Sequence, residues 1–138
     1  MELVIQLDSR SAQDMKKAHE MMIDIFKDSI DLTYYYGPVQ MGVWGLEYRW
    51  LLEQYTIKVE SERGFINILV YDDKGDRFYP SLVYPEARYY HFADKEEDVF
   101  QLVELTYRAI AESKIEFFTS EEVREHNRKT RLVNKYER

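Results

Sequence analysis

Apolar residues recur at helical spacing from Met15 through Ala18, Met22, Ile25, Phe26 and Ile30. This predicts an amphipathic helix over 12–31, with Lys16, Lys17, Glu20, Asp24, Lys27 and Asp28 facing outward. Ser11 and Asp14, three residues apart, predict its cap. Ahead of it, the weak alternation of Val, Ile and Leu over 3–8 predicts a first strand.

Period two takes over later in the chain. Tyr55, Ile57 and Val59 alternate with Thr56, Lys58 and Glu60, the pattern of a half-buried strand. Glu62-Arg63-Gly64 predicts a turn. Residues 65–71 are apolar apart from Asn67, which predicts a central strand. Residues 72–76, Asp-Asp-Lys-Gly-Asp, predict a hairpin turn rather than a calcium loop, because Lys74 falls where a ligand oxygen is needed. Residues 78–84 predict a third strand of this meander, with Pro80 at an edge or bulge, and 88–92 a fourth. Asp94 followed by Glu96 and Glu97 marks a helix start. Val99, Leu102, Val103, Thr106, Ala109 and Ile110 then form an inward stripe to about Lys114, with Glu104 and Arg108 as a surface pair. After Phe117-Phe118, a last helix capped by Thr119 or Ser120 has few apolar residues, mainly Val123, Leu132 and Val133. Such a helix needs a partner surface.

Residues 33–45, rich in Tyr, Gly and Met, fit no regular element, and 46–54 read as a short helix with Leu46 and Trp50 inward. Strands and helices thus come in blocks. They predict one α+β domain over 1–138, an antiparallel four- to five-stranded meander packed on an N-terminal helix and two C-terminal helices.

Composition narrows the function. The 138 residues carry a net charge of −7, which argues against duplex nucleic acid as a partner. The charge is uneven: residues 117–138 hold six basic against four acidic side chains, so the acidic remainder could receive this arm from another copy. A homodimer or larger assembly is therefore expected, with 117–138 as its helical arm. No apolar run approaches the ~20 residues of a membrane span. The N-terminus lacks the basic start and apolar stretch of a signal peptide, so a cytoplasmic protein is expected. There are no cysteines, and His19, His91 and His126 show no ligand spacing, so no metal or cofactor is expected.

Phosphate-loop, zinc-protease and nucleophile-elbow motifs are absent from the sequence, which predicts a non-enzyme. Twelve tyrosines exceed what a core of this size needs and point to contact surface. Two clusters stand out as ligand- or partner-binding candidates. One is Arg88, Tyr89, Tyr90 and His91, with Arg108. The other is Tyr35, Tyr36 and Trp44 in the Gly-punctuated segment. Arg with Tyr suits stacking on a planar ring or gripping a phosphate. The expectation is a non-catalytic binder that neutralises a target by stoichiometric capture, the target being a protein or a nucleotide-like small anion. Small, acidic, Tyr-rich chains of this kind occur among toxin-immunity proteins and phage-encoded inhibitors of host defence. The rivals are a small acid/base enzyme using Glu47, Glu53 or His91, and a structural homo-oligomer subunit.

Overall fold

The computed structural model describes residues 1–6, 9–51, 55–74, 77–80, 83–112 and 125. Helix α1 spans Arg10–Phe26 and buries Ala12, Met15, Ala18, Met22 and Phe26, the stripe its sequence spacing demands. Its cap is Ser9 rather than Ser11: the extended Ser9 accepts the Ala12 N–H at 3.1 Å. The helix also ends earlier than its apolar period. Lys27 adopts φ 54°, a 3-10 turn follows over Lys27–Ser29, and Ile30 already belongs to a strand.

Five strands follow: β1 (Ile30–Val39), β2 (Val43–Trp50), β3 (Tyr55–Glu62), β4 (Phe65–Asp72) and β5 (Arg77–Phe78). They form an antiparallel meander in chain order. The expected helix over 46–54 is therefore a correction, since residues up to Trp50 form β2. Leu46 and Trp50 are four apart, a spacing that fits both helical and strand periods. The full set Trp44, Leu46, Tyr48 and Trp50, alternating with Gly45, Glu47 and Arg49, fits only the strand. Residues 52–54, Glu53 among them, lie outside the described residues. The Tyr-rich run joins β1, which bulges between Leu32 and Tyr34 and again between Tyr36 and Val39.

The N-terminal segment is a second correction, since residues 1–6 form no strand. Leu3 and Ile5 lie half-buried against the core, and the Tyr35 hydroxyl meets both backbone groups of Val4 at 3.3–3.4 Å. A third concerns 88–92. Pro85–Tyr89 is a 3-10 helix with proline in its first turn, and only Phe92 makes a β-bridge, to Phe65. The third strand of the expected meander is short, reduced to Arg77–Phe78 among the described residues. The 72–76 turn is confirmed over its described part, where the Asp72 side chain accepts the Lys74 N–H at 2.9 Å.

Helix α2 spans Glu96–Ala111. Asp94 is not its side-chain cap; instead Asp98 reaches back to accept the Phe92 N–H at 3.1 Å, and Glu96, Glu97 and Asp98 complement the first-turn dipole. The expected last helix and its basic arm, 117–138, lie outside the described residues except Glu125. Among the described residues no helix is long and apolar enough to cross a membrane.

Both helices cover one face of the sheet. Met15, Met22, Leu102, Val103 and Ala109 pack on Trp44, Leu46, Tyr48, Ile57, Val59, Ile68 and Val70. The alternate strand positions form a second face that neither helix covers. Register places Tyr36 beside Gly45, Gly45 beside Glu60, Glu47 beside Lys58, and Lys58 beside Leu69 on that face.

Candidate binding surface

The uncovered face is built by strand alternation, so its residues are the polar half of each period. Lys58 sits at its centre. Its ammonium lies 3.5 Å from the Glu60 carboxylate and 5.5 Å from the Tyr36 ring centroid. Burial would lower the Lys58 pKa, but Tyr36, Glu60 and Glu47 outweigh it and hold the pKa above its ordinary value. The Tyr71 hydroxyl donates to Glu47 across the intervening strand at 3.3 Å, and its pKa is raised by burial and by that carboxylate.

Gly45 explains the position of Tyr36. A Cβ on Gly45 would overlap the Tyr36 ring, so the missing side chain is what lets that ring lie on β2. The seated ring forms one wall of a cavity of about 400 Å³, whose other lining includes Glu60, Glu62, Arg63, Phe65 and Asn67. A second hollow of about 240 Å³ lies on the same face among Lys58, Glu60, Leu69, Tyr71 and Arg77.

At the β3–β4 end the face runs into the segment that follows the 3-10 helix. The Ile66 N–H donates to the His91 carbonyl and the Ala93 N–H to the Gly64 carbonyl, each at 2.8 Å. Phe65 stacks on His91 at 5.5 Å and lies 5.7 Å from Phe92. Lys95 covers Phe92 from 4.6 Å. The Arg88 guanidinium lies over the Tyr89 ring at 5.0 Å and donates to its hydroxyl at 2.9 Å. Phe65 and Tyr89 are 54% and 63% exposed, and Val39 and Met41 at the neighbouring hairpin tip are similarly open. Large apolar and aromatic side chains with arginines, exposed at one end of a sheet, form the composition of a contact surface.

The sequence candidates therefore divide. Arg88, Tyr89 and His91 come together, and through Phe65 they adjoin Tyr36. Tyr90 turns toward the core. Trp44 is 1% exposed and is a core residue, which removes it from any binding surface. Tyr35 is half-buried under the N-terminal segment. Arg108 belongs to a separate group: it lies over the Tyr84 ring at 5.7 Å, and Tyr84 donates to Glu112 at 2.9 Å. The Tyr84 pKa is pushed up to about 12 by burial and by Glu112.

Lys58, Glu60, Arg63, Phe65, Asn67 and Tyr71 were missed by sequence reasoning. Their signal was the outward half of the alternation in 55–71, and Asn67 as the polar exception in β4. Among the described residues no three His, Asp or Glu side chains converge as a metal site. No family model, no curated protein and no solved structure matches this chain.

Proposed function

We propose that this chain is a non-catalytic binding protein that neutralises a partner protein by stoichiometric capture, the mode of action of immunity proteins and phage inhibitors. The observation that carries this reading is the group of exposed Phe65, Arg88 and Tyr89 with half-buried His91 between them and half-buried Tyr36 across the adjoining cavity. It stands on a sheet end cross-linked by backbone hydrogen bonds. Aromatic and arginine anchors on a rigid support are the groups that dominate protein interfaces, because little side-chain entropy is lost when they are covered. A nucleotide-like anion fits less well, since Glu60 and Glu62 line the adjoining cavity and repel phosphate.

The test is site-specific photocrosslinking in the native host. A benzophenone side chain at Phe65 or Tyr89 should trap one protein species in a one-to-one adduct, and one at Glu20, on the outer face of α1, should not. Arg88→Ala should weaken capture of that species by about 30-fold, the loss of one interface anchor. Crosslinking only from α1, or substrate turnover by the purified chain, would sink the reading.

A further inference from the structure

We infer that His19 and Tyr48 form an acid-sensitive latch that holds α1 on the sheet and opens when the imidazole takes a second proton; this stands apart from the capture reading. His19 is on α1 and Tyr48 on β2, and their rings stack with centroids 5.8 Å apart and planes 10° from parallel. His19 Nδ1 lies 2.7 Å from the Tyr48 hydroxyl. Tyr48 is fully buried, so its hydroxyl meets no water, and among the described residues it has no other hydrogen-bond partner.

The direction of the bond follows from that isolation. With the proton on Nδ1, the hydroxyl would accept, and its own O–H would stay buried without an acceptor. Tyr48 therefore donates to Nδ1, and the neutral imidazole keeps its proton on Nε2. A second proton on the ring must go to Nδ1. N–H then faces O–H, the hydroxyl has to turn away, and its proton finds no acceptor. The pair is satisfied only while His19 is neutral.

The surroundings favour the neutral form. Lys16 and Glu20 flank His19 on α1, and Glu20 pulls its pKa up less than burial pulls it down. From the sheet, the register neighbours of Tyr48 are Leu32 on β1 and Ile57 on β3, both buried and apolar. Tyr35 on β1 gives its hydroxyl to Val4. The groups that α2 and its approach present to α1 are engaged elsewhere: Glu96 pairs with Lys17, Asp94 with Arg10 beside Asp14, and Tyr107 packs edge-on against Phe26. Topology lets α1 respond by itself. It precedes β1 and contributes no strand to the meander, so it can lift without breaking a ladder bond.

The test is native-state hydrogen exchange of the intact chain, followed by NMR and corrected for the intrinsic pH dependence of exchange. Between about pH 8 and about pH 5, amides from His19 to Ile23 should lose protection about fivefold more than those of Val59 and Ile68, the factor for one lost hydrogen bond. Imidazole ¹⁵N shifts at the upper pH should place the proton on Nε2. His19→Gln removes the titration and should make the loss in α1 equal to that in the sheet. Tyr48→Phe keeps the ring and removes the donated bond, and should raise the His19 pKa read from its ring proton shifts. A proton on Nδ1, equal losses in helix and sheet, α1 protection unmoved by pH, the same excess loss in His19→Gln, or an unmoved His19 pKa in Tyr48→Phe would overturn the inference. The unsubstituted chain alone decides it where Tyr48→Phe does not fold.

Discussion

Gly45→Ala isolates one contact on which the uncovered face depends. Gly45 lies in β2 with no positive φ, so its backbone accepts alanine without strain. At such a site Gly→Ala stabilises by about 0.4–1 kcal/mol, because the unfolded chain loses freedom. Here the new methyl would overlap the Tyr36 ring. Overpacking of this kind costs about 1–3 kcal/mol. Tyr36 is half-buried, and turning its ring away would forfeit its contact with Lys58, worth about 0.5–1 kcal/mol at a surface, so the ring stays and the overpacking cost stands against the gain. The net expectation is a destabilisation of about 1–2 kcal/mol, or a Tm lower by roughly 3–7 °C for a chain of this size. The sign alone separates the two effects. Tyr36→Ala removes the ring that is struck, so the pair of changes should cost at least ~1 kcal/mol less than the sum of the single changes. Urea unfolding followed by far-ultraviolet circular dichroism, on the two single variants and the double, measures all three values. A urea midpoint that rises in Gly45→Ala, or single effects that add within ~0.5 kcal/mol, would refute the claim that Gly45 seats Tyr36.

Two further outcomes follow from the buried side of the sheet. His19 Nδ1 lies 2.7 Å from the hydroxyl of the fully buried Tyr48, and burial lowers the His19 pKa below its ordinary value, against the opposing pull of Glu20. The unfolded chain then binds more protons than the folded one below about pH 6.5, so this contribution to stability is complete above that pH and declines as pH falls toward the folded pKa. Urea midpoints between pH 5 and pH 8 should show that decline, and His19→Gln should flatten it; an unchanged slope would exclude His19 as its source. Tyr90→Ala should lower Tm, because Tyr90 packs on the core, whereas Tyr89→Ala, at an exposed ring, should shift Tm by no more than a few degrees. Thermal melts of the two variants check this, and equal losses would contradict the placement of either ring.

The architecture was legible where one period ruled a whole segment. The α1 stripe, the β3 alternation and the α2 stripe each bury what their spacing requires. Errors arose where two readings share a spacing or where tertiary contacts decide. Leu46 and Trp50 satisfied a helix only because Tyr48 was not counted with them. The N-terminal segment has strand composition, but its backbone is engaged by the Tyr35 hydroxyl rather than by a neighbouring strand. Local alternation places Arg88 through His91 on an exposed strand face. A 3-10 helix displays Arg88 and Tyr89 instead, and the stacking of His91 on Phe65, twenty-six residues away, could not be read from local spacing. Tyr36 was singled out as one of a tyrosine run. What makes it part of a cavity is the absent side chain of Gly45 on the next strand, and that requires the register.

The same end of the sheet also holds two of the three non-glycine residues with positive φ among the described residues. Met41 and Arg63 are non-glycine residues at φ 66° and 55°. Side chains seldom adopt this region, and each such residue costs on the order of 1–3 kcal/mol unless its surroundings impose it. Here the two restrain each other, since the Arg63 N–H donates to the Met41 carbonyl at 2.8 Å. The Phe65–Phe92 bridge and the Ala93 bond to Gly64 hold the β3–β4 turn from its other side. Two strained turns joined by a backbone bond, with Met41 and Phe65 exposed on them, form a support that has few alternative conformations. A partner docking there would lose little of its binding energy to ordering the surface. Under the proposed capture, the strain and the exposed rings at one end of the sheet would give the partner a contact surface whose shape is set before it arrives.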